Sequence, residues 1–268
     1  TDKDLFIKIF DNNYKVIKFP GCTTDYKKYI KMHSKNKPLN SHTACESSGI
    51  AVRLYPKNEL LVELTKFFLS KSFNKAIADK FNIEYVNCNI DGGIQKYLDG
   101  YEISPHPDIR KKAATFMVNI NPGKNSERLN YHTHYLKLNS EYSYVKDFWK
   151  ANPKVDRQWV PWNWCSTKFL QTKNNSIVLF SPDNDTMHGV KADYDHLSTQ
   201  RTQIYGNLWY KTYHTTHAPS WEQLLEKNFF PKSGTFKDKI QNNFLTITFK
   251  RIAKKFSRKD PNISNKGY

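Results

Sequence analysis

A histidine and an aspartate stand two residues apart, at His106 and Asp108, just before the apolar run 113–120. On a β-strand, side chains two positions apart point to the same face, so both groups could contact one cation. One further imidazole would complete a set of two nitrogens and one oxygen on one side of a metal. With the opposite positions open, such a set suits a non-haem Fe(II) centre.

The third ligand is expected downstream, where another strand ends. Residues 175–190 read as a buried strand, a polar turn and then His188. Arg201 follows thirteen residues later and begins a β-rich run over 202–210. A guanidinium at the head of that strand could form two parallel hydrogen bonds with a carboxylate.

In this order, the residues resemble the Fe(II)/2-oxoglutarate-dependent oxygenases, and most closely their prolyl-4-hydroxylase-like branch. The pattern of that branch reads roughly Gln, Tyr, Gly, then Pro-His-x-Asp, then Arg and a Thr-bearing strand. The matching residues here are Gln95, Tyr97, Gly100, Pro105, His106, Pro107, Asp108, Arg110 and Thr115. The resemblance covers about residues 93–122 and 165–212.

The resemblance implies a mainly β fold with supporting helices around a double-stranded β-helix (jelly-roll, cupin-like) core. It implies Fe(II) bound by three residues, His106, Asp108 and His188. Arg201 would pair with the distal carboxylate of 2-oxoglutarate, and Tyr97 would donate its hydroxyl to the same co-substrate.

The implied reaction consumes O2 and releases succinate and CO2, with ascorbate a candidate reductant. Family members that halogenate lack the carboxylate ligand, so Asp108 favours hydroxylation. The substrate stays open between a small molecule, a peptidyl proline and a lipid or glycan headgroup. The alternative is a non-catalytic jelly-roll binding module that docks on an anionic surface or polymer.

Other histidines compete for the metal. His132 and His134 form a His-x-His pair, but no carboxylate follows at the spacing that a cupin-type site requires. We interpret both as lid or surface groups, and His214 and His217 likewise.

Three segments of one structural domain are expected. Residues 1–92 should form an N-terminal support of strands and helices, with a hairpin from 5–10 and 14–19 and a helix capped by Asn58. Residues 93–217 should form the catalytic core, with an aromatic insertion at about 123–164 that serves as a lid, a substrate wall or a small satellite core. Residues 218–268 should form a helical, basic C-terminal extension.

The composition leads to expectations about the cellular compartment of the protein and about one binding partner. The four cysteines form no Cys-x-x-Cys pair. The sequence has no run of about 18 apolar residues, which a membrane span would need. Its first residues do not show the basic stretch followed by an apolar stretch that is typical of a signal peptide. We therefore expect a cytoplasmic protein with free thiols. Residues 227–268 carry eleven Lys or Arg against two Asp or Glu, a net +9 of the total +17. This segment could hold the protein on an anionic membrane surface, or it could be a solubilising tail.

Overall fold

The computed structural model describes residues 2–10, 14–16, 25–33, 47–48, 51–98, 101–191 and 196–216. The helices are α1 (Asp2–Ile9), α2 (Tyr26–His33), α3 (Glu59–Leu69), α4 (Lys71–Lys80), α5 (Tyr144–Ala151) and α6 (His196–Thr199). The strands are β1 (Tyr14–Val16), β2 (Ser47–Ser48), β3 (Ala51–Pro56), β4 (Cys88–Tyr97), β5 (Glu102–His106), β6 (Lys112–Asn119), β7 (His134–Leu138), β8 (Cys165–Leu170), β9 (Ile177–Phe180), β10 (Met187–Val190) and β11 (Thr202–Tyr210).

The strands form two antiparallel sheets. The larger sheet has the order β1-β3-β4-β11-β6-β9, and the smaller has the order β2-β5-β10-β7-β8. From β4 onward the chain passes back and forth between the sheets, so that β4-β11-β6-β9 and β5-β10-β7-β8 are interleaved in sequence. This is the strand order of a jelly roll. The predicted fold class is confirmed.

The two faces of the larger sheet differ in chemistry. Along β11, Ile204 and Leu208 belong to the main hydrophobic cluster, together with residues of α3 and α4. Gln203 and Asn207 alternate with them on the other face. There Gln203 donates a hydrogen bond to Asn119 on β6. The apolar core therefore lies between this sheet and the helices, while the opposite face of the sheet is polar.

The polar face contacts the smaller sheet and the loops next to it. Asn119 donates to the backbone carbonyl of Gln171, which follows β8. The Gln171 side chain in turn donates to the carbonyl of Met117 on β6. The two sheets therefore meet through hydrogen-bonding groups on this face and not through an apolar core.

Gly206 allows β11 and a phenylalanine to approach closely. A Cβ at Gly206 would lie 2.1 Å from Cε1 of Phe116. That ring is held between the rings of Phe68 and Phe73, with centroids 5.5 and 5.3 Å away. We expect Gly206→Ala to lower the free energy of unfolding by roughly 1–3 kcal/mol, the usual cost of overpacking.

Chemical denaturation of the metal-free protein measures this loss. Gly123→Ala is the control, because a Cβ there would meet nothing nearer than 3.8 Å. Equal midpoints for the two variants would contradict the packing at Gly206.

The helical support is partly as predicted. Asn58 caps α3, with its side chain accepting a hydrogen bond from the amide of Leu61. The expected hairpin is wrong, because 5–10 lies in and just after α1 while Tyr14–Val16 pairs with β3. Phe6 and Ile9, three residues apart, are fully buried, so packing along one helix face outweighs the β-prone composition.

The interval 123–164 differs in one part from the expected insertion. Its residues His134–Leu138 form β7, which lies between β10 and β8 in the smaller sheet. These five residues therefore belong to the core, and a lid or substrate wall could come only from the residues around them. The strand was not recognised because His134 and Lys137 interrupt its apolar pattern.

No helix in the described ranges is long and apolar enough to cross a membrane. The basic C-terminal segment 218–268 and His217 lie outside the described residues. The expected contact of this segment with an anionic surface stays a prediction.

Candidate metal centre

Two neighbouring strands bring His106 and His188, the two candidate metal-ligand histidines, together. β5 and β10 pair antiparallel, and in their register His188 lies directly opposite His106. The centroids of the two rings are 4.3 Å apart. Residues opposite each other in an antiparallel pair point to the same face, so both imidazoles lie on one side of the smaller sheet.

Both histidines are oriented in the same way. Nδ1 of His106 lies 2.8 Å from the carbonyl oxygen of Ser104, and Nδ1 of His188 lies 3.2 Å from that of Thr186. Because a carbonyl oxygen only accepts, each Nδ1 carries the proton. In the neutral form of each ring, Nε2 then has its lone pair free for a metal, and such a hydrogen bond at the other ring nitrogen usually orients metal-bound histidines.

Asp108 completes the group from the loop that follows β5. Its Oδ1 lies 3.6 Å from Nε2 of His106, and its Oδ2 lies 3.9 Å from Nε2 of His188. The three candidate ligand atoms all lie within 4.8 Å of one another, and all three residues are buried. Since bonds from nitrogen or oxygen to a transition metal are about 2.0–2.2 Å long, one ion could contact all three.

Charges around the group keep it in the ligand form. Burial raises the pKa of Asp108, but the Lys112 ammonium and then His188 and His106 outweigh burial and hold that pKa well below its usual range. Burial, with His106 next in weight, lowers the pKa of His188 to about 3. At neutral pH the site therefore offers a carboxylate and a neutral imidazole, which are the forms that bind metal.

Two side chains hold the carboxylate of Asp108 in place. Nζ of Lys112 donates to Oδ1 at 2.7 Å, and the hydroxyl of Thr115 lies 3.2 Å from Oδ2. Both come from β6, whose polar face lies against the site. Thr115 is one of the residues that carry the resemblance, whereas no local pattern in the sequence indicates that Lys112 contacts Asp108.

Aromatic rings surround His188. The ring centroids of Phe180 and Tyr135 lie 5.0 and 6.4 Å from that of His188. The Tyr135 hydroxyl donates to Oε1 of Gln171 at 3.1 Å. These rings restrict water on this side of the site, which strengthens its electrostatic interactions.

Arg201 is fully buried at the start of β11. Its Nη2 donates to the hydroxyl of Thr133 at 2.8 Å and lies 3.3 Å from Oε1 of Gln203. Its guanidinium carbon lies 4.1 Å from the ring centroid of Tyr97. Nε and Nη1 find no hydrogen-bond partner among the described residues. The guanidinium is thus fixed in place with two donors left over.

Tyr97 lies where the sequence suggested, beside Arg201. Its hydroxyl hydrogen-bonds to Gln203 on the neighbouring strand. Burial raises the pKa of Tyr97, while the charge of Arg201 opposes that rise, so this tyrosine is a neutral phenol at neutral pH. Its expected hydrogen bond to a co-substrate stays a prediction.

The competing histidines are absent from the metal-ligand group. His132 is fully buried, with Nε2 2.9 Å from the carbonyl oxygen of Ser126. His134 lies on β7, with Nδ1 3.0 Å from the hydroxyl of Thr167. A surface position is wrong for His132, which is fully buried and stacks on the ring of Tyr131 with a centroid distance of 4.7 Å; a lid position stays a prediction. His214 is exposed, as expected.

Comparisons with known proteins add little to this geometry. No protein family matches the chain, and no curated protein matches it either. Among solved structures, the crystal structure of a Pseudomonas putida prolyl-4-hydroxylase is similar over 79% of this chain and 100% of that chain, with a TM-score of 0.35 and 9% identity. The assignment below therefore depends on strand order and side-chain geometry alone.

The fold and the site together define the class of protein. It is a jelly-roll protein in which two histidines and one aspartate converge at a candidate metal centre. Their convergence was predicted from the sequence and is confirmed; that they bind a metal is a proposal.

Proposed function

We propose that this chain is an Fe(II)- and 2-oxoglutarate-dependent dioxygenase that hydroxylates its substrate and releases succinate and CO2. The observation that carries the proposal is the combination of the His106, Asp108 and His188 group with the buried guanidinium of Arg201, whose Nε and Nη1 find no partner among the described residues. Neither part alone distinguishes an oxygenase from a structural metal site or a buried cation.

The donor set fits Fe(II). Two imidazole nitrogens and one carboxylate oxygen on one side of an ion are typical of non-haem Fe(II) oxygenases. A structural zinc site would instead be expected to close its coordination with a fourth protein ligand. In the described part of the chain no fourth residue joins the group. When bound, Fe(II) would supply the site at which 2-oxoglutarate and O2 react.

Arg201 fits the co-substrate. Nε and Nη1 are buried donors without a partner, and leaving such donors unsatisfied costs free energy. The planar guanidinium can bind a carboxylate through two parallel hydrogen bonds. The contacts with Thr133, Gln203 and Tyr97 fix its orientation before the ligand arrives, which reduces the entropic cost of binding.

The remaining side chains position and shield the reacting groups. Lys112 and Thr115 hold the Asp108 carboxylate, and the Ser104 and Thr186 carbonyls hold the two imidazoles. The rings of Tyr135 and Phe180 restrict water on the side of His188. The presence of Asp108 supports hydroxylation rather than halogenation as the outcome.

Succinate release tests the proposal. We expect the full chain, reconstituted anaerobically with Fe(II) and then exposed to O2, to convert 2-oxoglutarate to succinate slowly even without substrate. Ascorbate in parallel samples tests whether a reductant sustains this turnover. Absence of Fe(II)-dependent succinate, despite retained iron, would overturn the proposal and favour a non-catalytic binding module.

A further inference from the structure

A second arginine, near the candidate metal centre, has a buried Nε that forms no hydrogen bond with any described residue. Arg157 lies in the extended segment that follows α5, and only 3% of its surface is exposed. Its Nε is buried without a hydrogen bond, and its guanidinium forms no ion pair within the described ranges. Burial, with the charge of Arg110 next in weight, lowers the pKa of Arg157 below its usual value.

Three carboxylates raise the pKa of Arg157: Asp183 most, then Asp156 and Asp108. Asp183 is exposed, and its Oδ1 accepts from the amide of Asn184. Asp156 Oδ1 accepts from the amides of Arg110 and Arg157, and its Oδ2 accepts from the hydroxyl of Thr215. Asp108 is paired with Lys112. None of these carboxylates forms an ion pair with Arg157 in the described ranges, and Nε of Arg157 keeps a free donor.

Backbone contacts place this segment against the two metal-binding residues of β5 and its loop. The amide of Val160 donates to the carbonyl of Pro105 at 2.8 Å, immediately before His106. The amide of Arg110, two residues beyond Asp108, donates to Asp156. The segment is thus tied to the chain on both sides of the His106–Asp108 pair. Asp108 also raises the pKa of Arg157, so the two charges lie within range of each other.

The neighbouring Arg110, unlike Arg157, uses its guanidinium for structural hydrogen bonds. Its Nε donates to the carbonyl of Val155 at 2.8 Å, and its Nη2 donates to that of Trp149 at 2.6 Å. Arg110 thus ties α5 and the following loop to the core. Arg157, only two residues beyond Val155, makes no such contacts.

We propose that Arg157 binds an anionic oxygen group, a carboxylate or a phosphate, on the substrate. This proposal rests on the proposed function: if Arg201 holds the 2-oxoglutarate co-substrate, the anion at Arg157 belongs to the substrate. A buried guanidinium without an ion pair lowers the stability of the folded protein unless an anion binds to it. Its planar donors can form hydrogen bonds with either a carboxylate or a phosphate. A free acid or a phosphate-bearing headgroup therefore fits the site better than the neutral interior of a peptide.

Anion binding to the metal-free full chain tests this without turnover. The starting protein is Arg201→Met, so that no anion is held at that position, and it is compared with Arg201→Met/Arg157→Met. Sodium acetate is the probe, acetamide is its neutral counterpart, and inorganic phosphate identifies the preferred anion. The measurement is the midpoint of thermal unfolding.

We expect acetate or phosphate at about 0.1 M to raise the midpoint of Arg201→Met by about 2–4 °C relative to acetamide, because a ligand of the folded state stabilises it. The double variant should lose this rise. An equal rise in both proteins would overturn the proposal. If the methionine variant does not fold, Arg157→Gln, which removes the charge, should lose the rise, and Arg157→Lys should keep part of it.

The ligand-free proteins supply a second measurement. Arg157→Met should unfold at or above the wild-type midpoint, because the change removes an uncompensated buried charge, whereas Arg110→Met should unfold lower. A large loss of stability in Arg157→Met would make Arg157 structural and would overturn the proposal. Absence of succinate release with a retained acetate response would sink the proposed function and leave the anion site standing.

Discussion

Alanine in place of His106, Asp108 or His188 is expected to abolish iron retention and to lower Fe(II)-dependent succinate release by more than about 100-fold. Loss of a residue that only orients a metal ligand already costs about 10- to 100-fold, so loss of a ligand itself should cost more. Iron content after anaerobic reconstitution and gel filtration, together with succinate release, measures both effects.

The histidine controls separate this effect from a general loss of imidazole. His214 is exposed and lies outside the candidate metal-ligand group, so His214→Ala should retain iron and turnover. Circular dichroism of each variant should show the β-sheet signal of the wild type. Near-native iron retention in all three ligand variants would show that the metal, if any, binds elsewhere.

The aspartate offers a sharper version of this test. Asp108→Asn keeps nearly the same shape but removes the negative charge, and Lys112 then loses its partner. We expect iron retention to fall almost as far as in Asp108→Ala, because charge and not shape holds the ion. Iron retention that is high in Asp108→Asn and low in Asp108→Ala would assign Asp108 a mainly steric role.

The candidate metal-ligand group could be predicted from the sequence because its signal is local. His106 and Asp108 are two residues apart, and His188 follows a recognisable buried strand, so short-range pattern was enough. The buried strand Thr202–Tyr210 was predictable in the same way, since a continuous β-prone run follows Arg201. Local pattern also gave the α3 cap at Asn58.

The partners of these residues could not be predicted, because each contact joins distant parts of the chain. Thr133 bonds to Arg201 across 68 positions. His132 was expected in a lid or at the surface because no carboxylate follows it at the spacing of a cupin-type site, but its ring is fully buried and contacts the carbonyl of Ser126. Arg157 sits among polar and aromatic residues in the sequence, and only the fold shows that its guanidinium is buried without a partner.

The second large effect is expected at Arg201. Replacement by alanine should raise the 2-oxoglutarate concentration needed for half-maximal succinate release by roughly 30- to 4,000-fold. That range corresponds to the roughly 2–5 kcal/mol lost when one partner of a buried, hydrogen-bonded charge pair is removed. Initial rates of succinate release across 2-oxoglutarate concentrations measure the change.

Conservative and distant variants show whether geometry or charge matters. Arg201→Lys should recover only part of the affinity, because an ammonium is a point charge without the planar fork. Arg128→Ala removes an exposed arginine and should leave the requirement unchanged. Arg110 and Lys112 are poor substitutes, since Arg110 is bonded to two carbonyls and Lys112 to Asp108. If Arg201→Ala needs no more 2-oxoglutarate than the wild type, Arg201 does not bind the co-substrate. Arg157 is the other arginine of the described part of the chain with a buried donor that lacks a partner. The roles proposed for the two arginines would then be exchanged.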